Sequence, residues 1–170
     1  MRLSKRTVLT SAAVMIAGPA MAGAIAVGQR LEVEVDAKKI EQEGNDIWAK
    51  IGGWCAIKDW HPAVANCEES KEGDATFRTL TLKDGGKIKE KQTGKTARGY
   101  SYDIIESPLP VKNYSAQFSV TPDDDDEDEL NVVWAATFDA NGKPDKEAKG
   151  VIDGIFKDGI ASIKEKLAKK

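Results

Sequence analysis

The chain has 170 residues, with 25 Lys and Arg against 28 Asp and Glu, a net charge of −3 and 41% hydrophobic content. That length suits one domain able to wall a core, and the acidic balance argues against nucleic acid or an anionic membrane surface as a partner, since both need a cationic face. A single histidine, His61, excludes a histidine-built metal cluster, so neither a metal nor another cofactor is expected.

The first residues read as a signal peptide. Arg2, Lys5 and Arg6 form a positive start, Val8 to Ala20 are mostly apolar, and Ala20-Met21-Ala22 offers small residues where a signal peptidase reads. Cleavage is expected after Ala22, with a site after Ala24 as second choice. The apolar run falls short of the roughly 20 residues a membrane span needs, and Lys5-Arg6 only approximates a twin-arginine signal. The expected organisation is therefore a cleaved segment, 1–22, and one domain, 23–170, that is periplasmic or secreted with no membrane span after processing. Processing would remove those three positive charges and no acidic one, taking the net charge from −3 to −6.

Leu31, Val33 and Val35 alternate with Glu32, Glu34 and Asp36, the pattern of a half-buried strand. Gly44-Asn45-Asp46 reads as a cap before a short helix, Ile47 to Ile51, that Gly52-Gly53 ends. Trp54 to Asp59 suits a second short turn of helix, and Pro62 sends the chain out of helix toward a strand. Val64 to Glu68, Thr76 to Leu82, Lys87 to Lys95, Tyr100 to Glu106, Tyr114 to Val120 and Leu130 to Phe138 follow as strands. Their short connections require an antiparallel sheet. Asp84-Gly85-Gly86 fits a three-residue hairpin loop with glycine where φ is positive. Ile152, Ile155, Phe156, Ile160, Ile163 and Leu167 then recur at helical spacing, with Gly154 and Gly159 near the same face to admit the sheet closely.

Period-two alternation assigns the inner face. Arg78, Leu80 and Leu82 share one side; Lys87, Lys89 and Lys91 face water and send Ile88, Glu90 and Gln92 inward. A loop at 84–86 sets Leu80 opposite Glu90 and Arg78 opposite Gln92, with Arg78 and Glu90 diagonal neighbours in reach of a salt bridge. That pair reads either as a structural ion pair at the rim or as a polar anchor inside an apolar cavity. Tyr100, Tyr102, Ile104, Tyr114, Ala116, Phe118, Val120, Val132, Trp134, Ala136 and Phe138 also point inward, most of them as plain core. Tyr102, Tyr114 and Trp134 each carry a polar atom that needs a partner when buried.

Three further features stand apart. Cys55 and Cys67, a dozen residues apart, suit either a disulfide worth about 3 kcal/mol in an oxidising compartment or two buried thiols. Trp60-His61-Pro62 reads as a rigid corner, with Trp60 over the mouth of any cavity and His61 placed to bond a ligand or sense pH; nothing orients His61 for a catalytic pair with Cys55. The run Asp123, Asp124, Asp125, Asp126, Glu127, Asp128, Glu129 reads as a solvated hairpin loop or as a docking patch for a cationic partner. It lacks the glycine and distal glutamate of an EF-hand.

The succession Trp60-His61-Pro62, Phe77-Arg78-Thr79-Leu80, Asp84-Gly85-Gly86, Tyr100-Ser101-Tyr102, Pro108-Leu109-Pro110 and Val133 to Phe138 before a final amphipathic helix resembles the bacterial polyketide cyclase-like members of the START/Bet v1 (SRPBCC) superfamily. The resemblance implies an α+β helix-grip fold: a curved seven-stranded antiparallel sheet around a long C-terminal helix, with two short helices after the first strand. It also implies an apolar cavity between sheet and helix, with Arg78, Glu90, Tyr102, Tyr114 and Trp134 as its polar and aromatic lining and Trp60 and His61 at its mouth. The function expected is binding of a small apolar or amphipathic molecule, without catalysis. The chain also looks like the exported MxaD-type subgroup, which implies an accessory to methanol dehydrogenase and its cytochrome electron acceptor, hence a periplasmic redox enzyme or cytochrome as partner. A third reading, a cyclase or aromatase, needs a positioned acid or base, and the export signal argues against it.

Overall fold

A computed structural model describes residues 24–169 together with Arg2 and Leu3. Among the described residues eight strands form one antiparallel sheet in the order β1-β2-β8-β7-β6-β5-β4-β3. Seven are long: β2 (Ile25–Glu34), β3 (Val64–Glu72), β4 (Ala75–Leu82), β5 (Lys87–Thr96), β6 (Gly99–Glu106), β7 (Val111–Pro122) and β8 (Glu129–Ala140). The eighth, β1 (Arg2–Leu3), is a two-residue edge piece opposite Glu34 and Val33. It falls within the expected signal peptide, whose other residues lie outside the described ones. Among the described residues no helix is long and apolar enough to cross a membrane.

The helices are α1 (Ile40–Ile51), entered through a 3₁₀ turn at Ala37–Lys39, α2 (Ile57–Trp60) and α3 (Asp145–Ala168). In α3, Ala148, Ile152, Phe156, Gly159, Ile160, Ile163 and Leu167 are buried at three- and four-residue steps, which turns one stripe onto the sheet. Asp145 and Glu147 in its first turn and Lys166 in its last complement the helix dipole. This is the α+β helix-grip architecture that the sequence implies.

The inward side chains expected from alternation on β4 to β8 are largely buried, while β3 breaks step between Val64 and Cys67. Leu80, Ile88, Tyr100, Tyr102, Tyr114, Ala116, Phe118, Val120, Val132, Trp134, Ala136 and Phe138 are all buried, and Lys87 and Lys91 are exposed. Aromatic rings fill much of the interior. Trp134 stacks on Phe156 of α3 at 4.1 Å between centroids, Trp60 on Phe118 at 5.5 Å, and Tyr114 on Phe138 at 5.9 Å.

Two local expectations fail. The helix expected from Ile47 begins at Ile40 instead, so Gly44, Asn45 and Asp46 lie inside it and cap nothing. Gly44 is there because Arg98 crosses over it: a Cβ at this position would stand 2.5 Å from Arg98 Nη1. The β4–β5 hairpin has its three-residue loop at Lys83-Asp84-Gly85, one residue earlier than expected. Leu82 N–H donates to Gly86 O at 2.8 Å, Gly85 takes the positive φ of +91°, and Asp84 Oδ1 accepts from Gly86 N–H. Moving the loop by one residue moves the pairing by two. Leu80 therefore stands opposite Ile88, and Arg78 directly opposite Glu90.

Candidate functional site

Between α3 and the β4–β5–β6 side of the sheet lies a cavity with about 70 Å³ open to water-sized molecules. Its walls are mainly apolar: Leu80 and Leu82 from β4, Ile88 from β5, Ile104 from β6, and Ile152, Ile155 and Phe156 from α3. Glu90, Tyr102, Tyr114, Trp134 and His61 supply the polar atoms around it. Five of the seven residues expected at the cavity are thus brought together there.

Arg78 and Trp60 are placed differently. Arg78, with no exposure to solvent, does not line the cavity but sits behind Glu90. Its Nε donates to Glu90 Oε2 at 2.5 Å, and its Nη1 donates to Trp54 O at 2.5 Å and to the Tyr100 hydroxyl at 3.4 Å. The guanidinium carbon lies 4.0 Å from the Trp54 ring centroid, 5.1 Å from that of Tyr102 and 5.4 Å from that of Tyr100, an aromatic enclosure for the cation. Trp60 is not at a mouth: it is 4% exposed, with its indole N–H donating to Ile51 O at 3.1 Å. An amphipathic ring can leave the surface once its polar atom has a buried partner, and the end of α1 supplies one.

Burial works against the Arg78 charge, yet Glu90, Tyr100 and Tyr102 together hold its pKa above the ordinary arginine value. Burial pushes the Glu90 carboxyl upward, and the Arg78 charge and hydrogen bond oppose that push. Glu90 meets Arg78 through Oε2 and is itself part of the cavity wall. Beside it, Trp134 Nε1 donates to the Tyr102 hydroxyl at 2.9 Å, and the Tyr102 and Tyr114 rings pack with centroids 6.1 Å apart. Burial raises the pKa of both tyrosines well above the usual phenol value. They stay protonated and serve as hydrogen-bonding groups, not as bases.

His61 is buried, and both ring nitrogens are engaged. Nδ1 accepts from Ala63 N–H at 3.1 Å, so Nε2 carries the proton and donates to Ile155 O at 3.0 Å. Burial lowers its pKa, against the opposing pull of Ile155 O and Asp158. The neutral ring ties the start of β3 to α3 along one side of the cavity. Gly159 makes that approach possible, since a Cβ there would stand 2.7 Å from the Trp134 ring and 2.9 Å from the His61 ring. Gly154 has no such role: a Cβ there meets nothing within 4 Å.

Cys55 and Cys67 are bonded, with Cα atoms 5.5 Å apart. The bridge ties β3 to the segment that carries Trp54, whose ring and carbonyl hold Arg78. Sequence periodicity does not reveal Trp54, because it lies on an irregular loop; the cysteine beside it was the available signal. The acidic run divides in two. Asp123 is partly buried and structural, accepting from Asn131 Nδ2 at 2.7 Å and Asp125 N–H at 2.8 Å, bonds that lower its pKa. Asp124 to Asp128 are exposed. The Asp128 carboxyl is held above its usual range by Asp126, and that of Glu129 by partial burial and then Glu32. Among the described residues no group of three or more acidic, histidine or cysteine side chains is arranged to hold a metal.

The chain is similar in structure to the protein XoxI from Bacillus cereus, at 25% identity and a TM-score of 0.72 over 85% of this chain and 96% of that one. It is similar to an uncharacterized protein from Bacillus thuringiensis, at 26% identity and a TM-score of 0.68 over 82% and 96%. The Zhui aromatase/cyclase from Streptomyces sp. R1128 shares the fold at 14% identity and a TM-score of 0.59, over 82% and 88%. No curated protein is a match to the sequence. The family model described as polyketide cyclase / dehydrase and lipid transport matches residues 30–168, nearly the whole described domain. The chain belongs to the polyketide cyclase/dehydrase and lipid transport family of helix-grip proteins.

Proposed function

We propose that this is an exported protein that binds a small apolar or amphipathic molecule between α3 and strands β4 to β6, and that it works by binding, not by chemistry. The observation that carries the reading is Glu90: a buried carboxylate, neutralised from behind by Arg78, turned toward a cavity with otherwise mostly apolar walls. A polar group kept at a dry wall orients a guest. Catalysis by a general base is disfavoured because Glu90 is pinned by Arg78, both tyrosines are held protonated, and His61 has each nitrogen committed. Native mass spectrometry of the protein taken gently from the periplasm of its own host tests the reading. A discrete small-molecule adduct supports it; a bare chain at every stage of purification counts against it.

The second reading, an MxaD-type accessory of a periplasmic dehydrogenase and its cytochrome, is favoured by one feature, the exposed acidic stretch Asp124 to Asp128 at the tip of the β7–β8 hairpin. Such a patch speeds encounter with a cationic partner at low salt. Co-purification with a redox enzyme or cytochrome, lost when those residues are changed to Asn and Gln, would favour it.

A further inference from the structure

A second cavity, lined by no residue of α3, lies between the C-terminal end of α1 and the β5–β6 hairpin. It has about 280 Å³ open to water-sized molecules, against about 70 Å³ beside Glu90. Its walls carry Trp48 from α1, Trp54 from the loop that follows, and Tyr100 from β6. The Trp48 and Trp54 ring centroids stand 5.9 and 5.1 Å from that of Tyr100. Gly52 belongs to this arrangement: a Cβ there would overlap the Trp48 ring, so glycine lets the ring lie across the end of α1. Both tryptophans keep part of their surface exposed, whereas Trp60 and Trp134 are buried.

The polar side chains come from β5, through a break in its pairing. Gln92 stands opposite Tyr102 and Lys95 opposite Tyr100, with a bulge between Gln92 and Gly94. Residues directly opposite on an antiparallel pair share a face, and both tyrosines are on the buried one. Strict alternation would set Gln92 and Lys95 on opposite faces, since they are three residues apart. The extra residue turns Lys95 back to the inner side, where it joins Gln92 and the three rings at the cavity wall.

Charge then selects the guest. Aromatic faces attract cations, but Lys95 repels them, and the Arg78 guanidinium carbon already lies over Trp54 at 4.0 Å from the ring centroid. No carboxylate is among the described residues that line the cavity. An anion meets the Lys95 ammonium and the N–H donors of the Gln92 amide, while a flat apolar body packs on the rings. The volume approaches the roughly 300 Å³ at which drug-sized pockets begin, which suits one ring with a short acidic side chain.

We infer that this cavity is a second binding site, separate from the one beside Glu90, and that it takes a small aromatic carboxylate between Trp48, Trp54 and Tyr100, with Lys95 and Gln92 holding the acid group. The protein purified from its own host is titrated by calorimetry with 3-phenylpropionate, 3-phenylpropanol and 3-phenylpropylamine, one apolar body with three head groups. The acid should bind about fivefold tighter than the alcohol, the upper range for one exposed ion pair, and the amine weakest. In nuclear magnetic resonance spectra the acid should move the indole N–H signals of Trp48 and Trp54 and leave that of Trp134, which borders the other cavity. Lys95→Gln, at an exposed position, should keep the melting temperature and bring acid and alcohol within about twofold of each other. Equal binding of acid and alcohol, tighter binding of the amine, or an unchanged preference in Lys95→Gln overturns the site. Signal shifts at Trp134 in place of Trp48 and Trp54, or failure of all three compounds to bind, overturn it also. None of these outcomes counts against the cavity beside Glu90, which the search for a native adduct tests separately.

Discussion

Arg78 and Glu90 face each other directly across the β4–β5 ladder, Nε 2.5 Å from Oε2, with neither side chain more than 5% exposed. Removing one member leaves the other as a buried charge without its counterion, which costs about 3–5 kcal/mol. Arg78→Ala and Glu90→Ala should each lower the urea midpoint strongly, and the double variant should fall well short of the sum. A double-mutant cycle with a coupling near zero would show that the two charges do not depend on each other.

Gly154 and Gly159 lie five residues apart on α3 and should respond in opposite ways to alanine. Alanine gains about 1 kcal/mol over glycine in a helix interior. At Gly154 a Cβ enters open space, so Gly154→Ala should raise the melting temperature. At Gly159 it would stand under 3 Å from both the Trp134 and the His61 rings, and Gly159→Ala should lower it. Equal shifts of the two variants would contradict the packing described for α3.

Which residues face inward was legible because strand periodicity is two and depends on nothing distant. Arg78, Glu90, Tyr102, Tyr114 and Trp134 were all assigned to the buried face and all are there. Register was less legible. Gly85 and Gly86 both tolerate positive φ, and the choice of Gly85 comes from which closure lets Leu82 bond Gly86 and Asp84 bond back to the chain. Long-range contacts were not legible at all. Gly44 looked like a helix boundary because nothing local shows that Arg98 lies over it. Trp60 looked like a surface lid because nothing local shows that Ile51 O meets its N–H. Cavity size depends on how rings from four elements interlock, which no alternation pattern encodes.

The Cys55–Cys67 bridge closes a 12-residue separation and fixes the loop that carries Trp54. Reduction, or Cys55→Ser with Cys67→Ser, should cost about 3 kcal/mol in urea denaturation. It should also loosen the Arg78 enclosure, since Trp54 O accepts from Nη1. Amide hydrogen exchange around residues 52–57 should rise more than in β7 and β8. A reduced protein with the same midpoint and the same exchange as the oxidised one would show that the bridge is not a stabilising element.

His61 makes stability depend on pH in a definite direction. Burial places its folded pKa below the ordinary value of 6.5, so in the interval between the two the unfolded chain binds the proton and the folded one does not. The stabilisation is complete above 6.5 and is lost as pH falls through the folded pKa, with a slope of at most about 1.4 kcal/mol per pH unit for one proton. Glu90 acts the other way: its raised pKa removes stability as pH rises above its ordinary value of 4.5, so the two partly offset in the acid range. His61→Asn keeps an acceptor for Ala63 N–H and removes the titration. Urea midpoints measured from about pH 5 to 7.5, the range where histidine changes charge, should fall on acidification more steeply in the parent than in His61→Asn. Parallel curves would mean that the ring protonates in the folded state without cost, and that its bonds to Ala63 and Ile155 do not fix the neutral form.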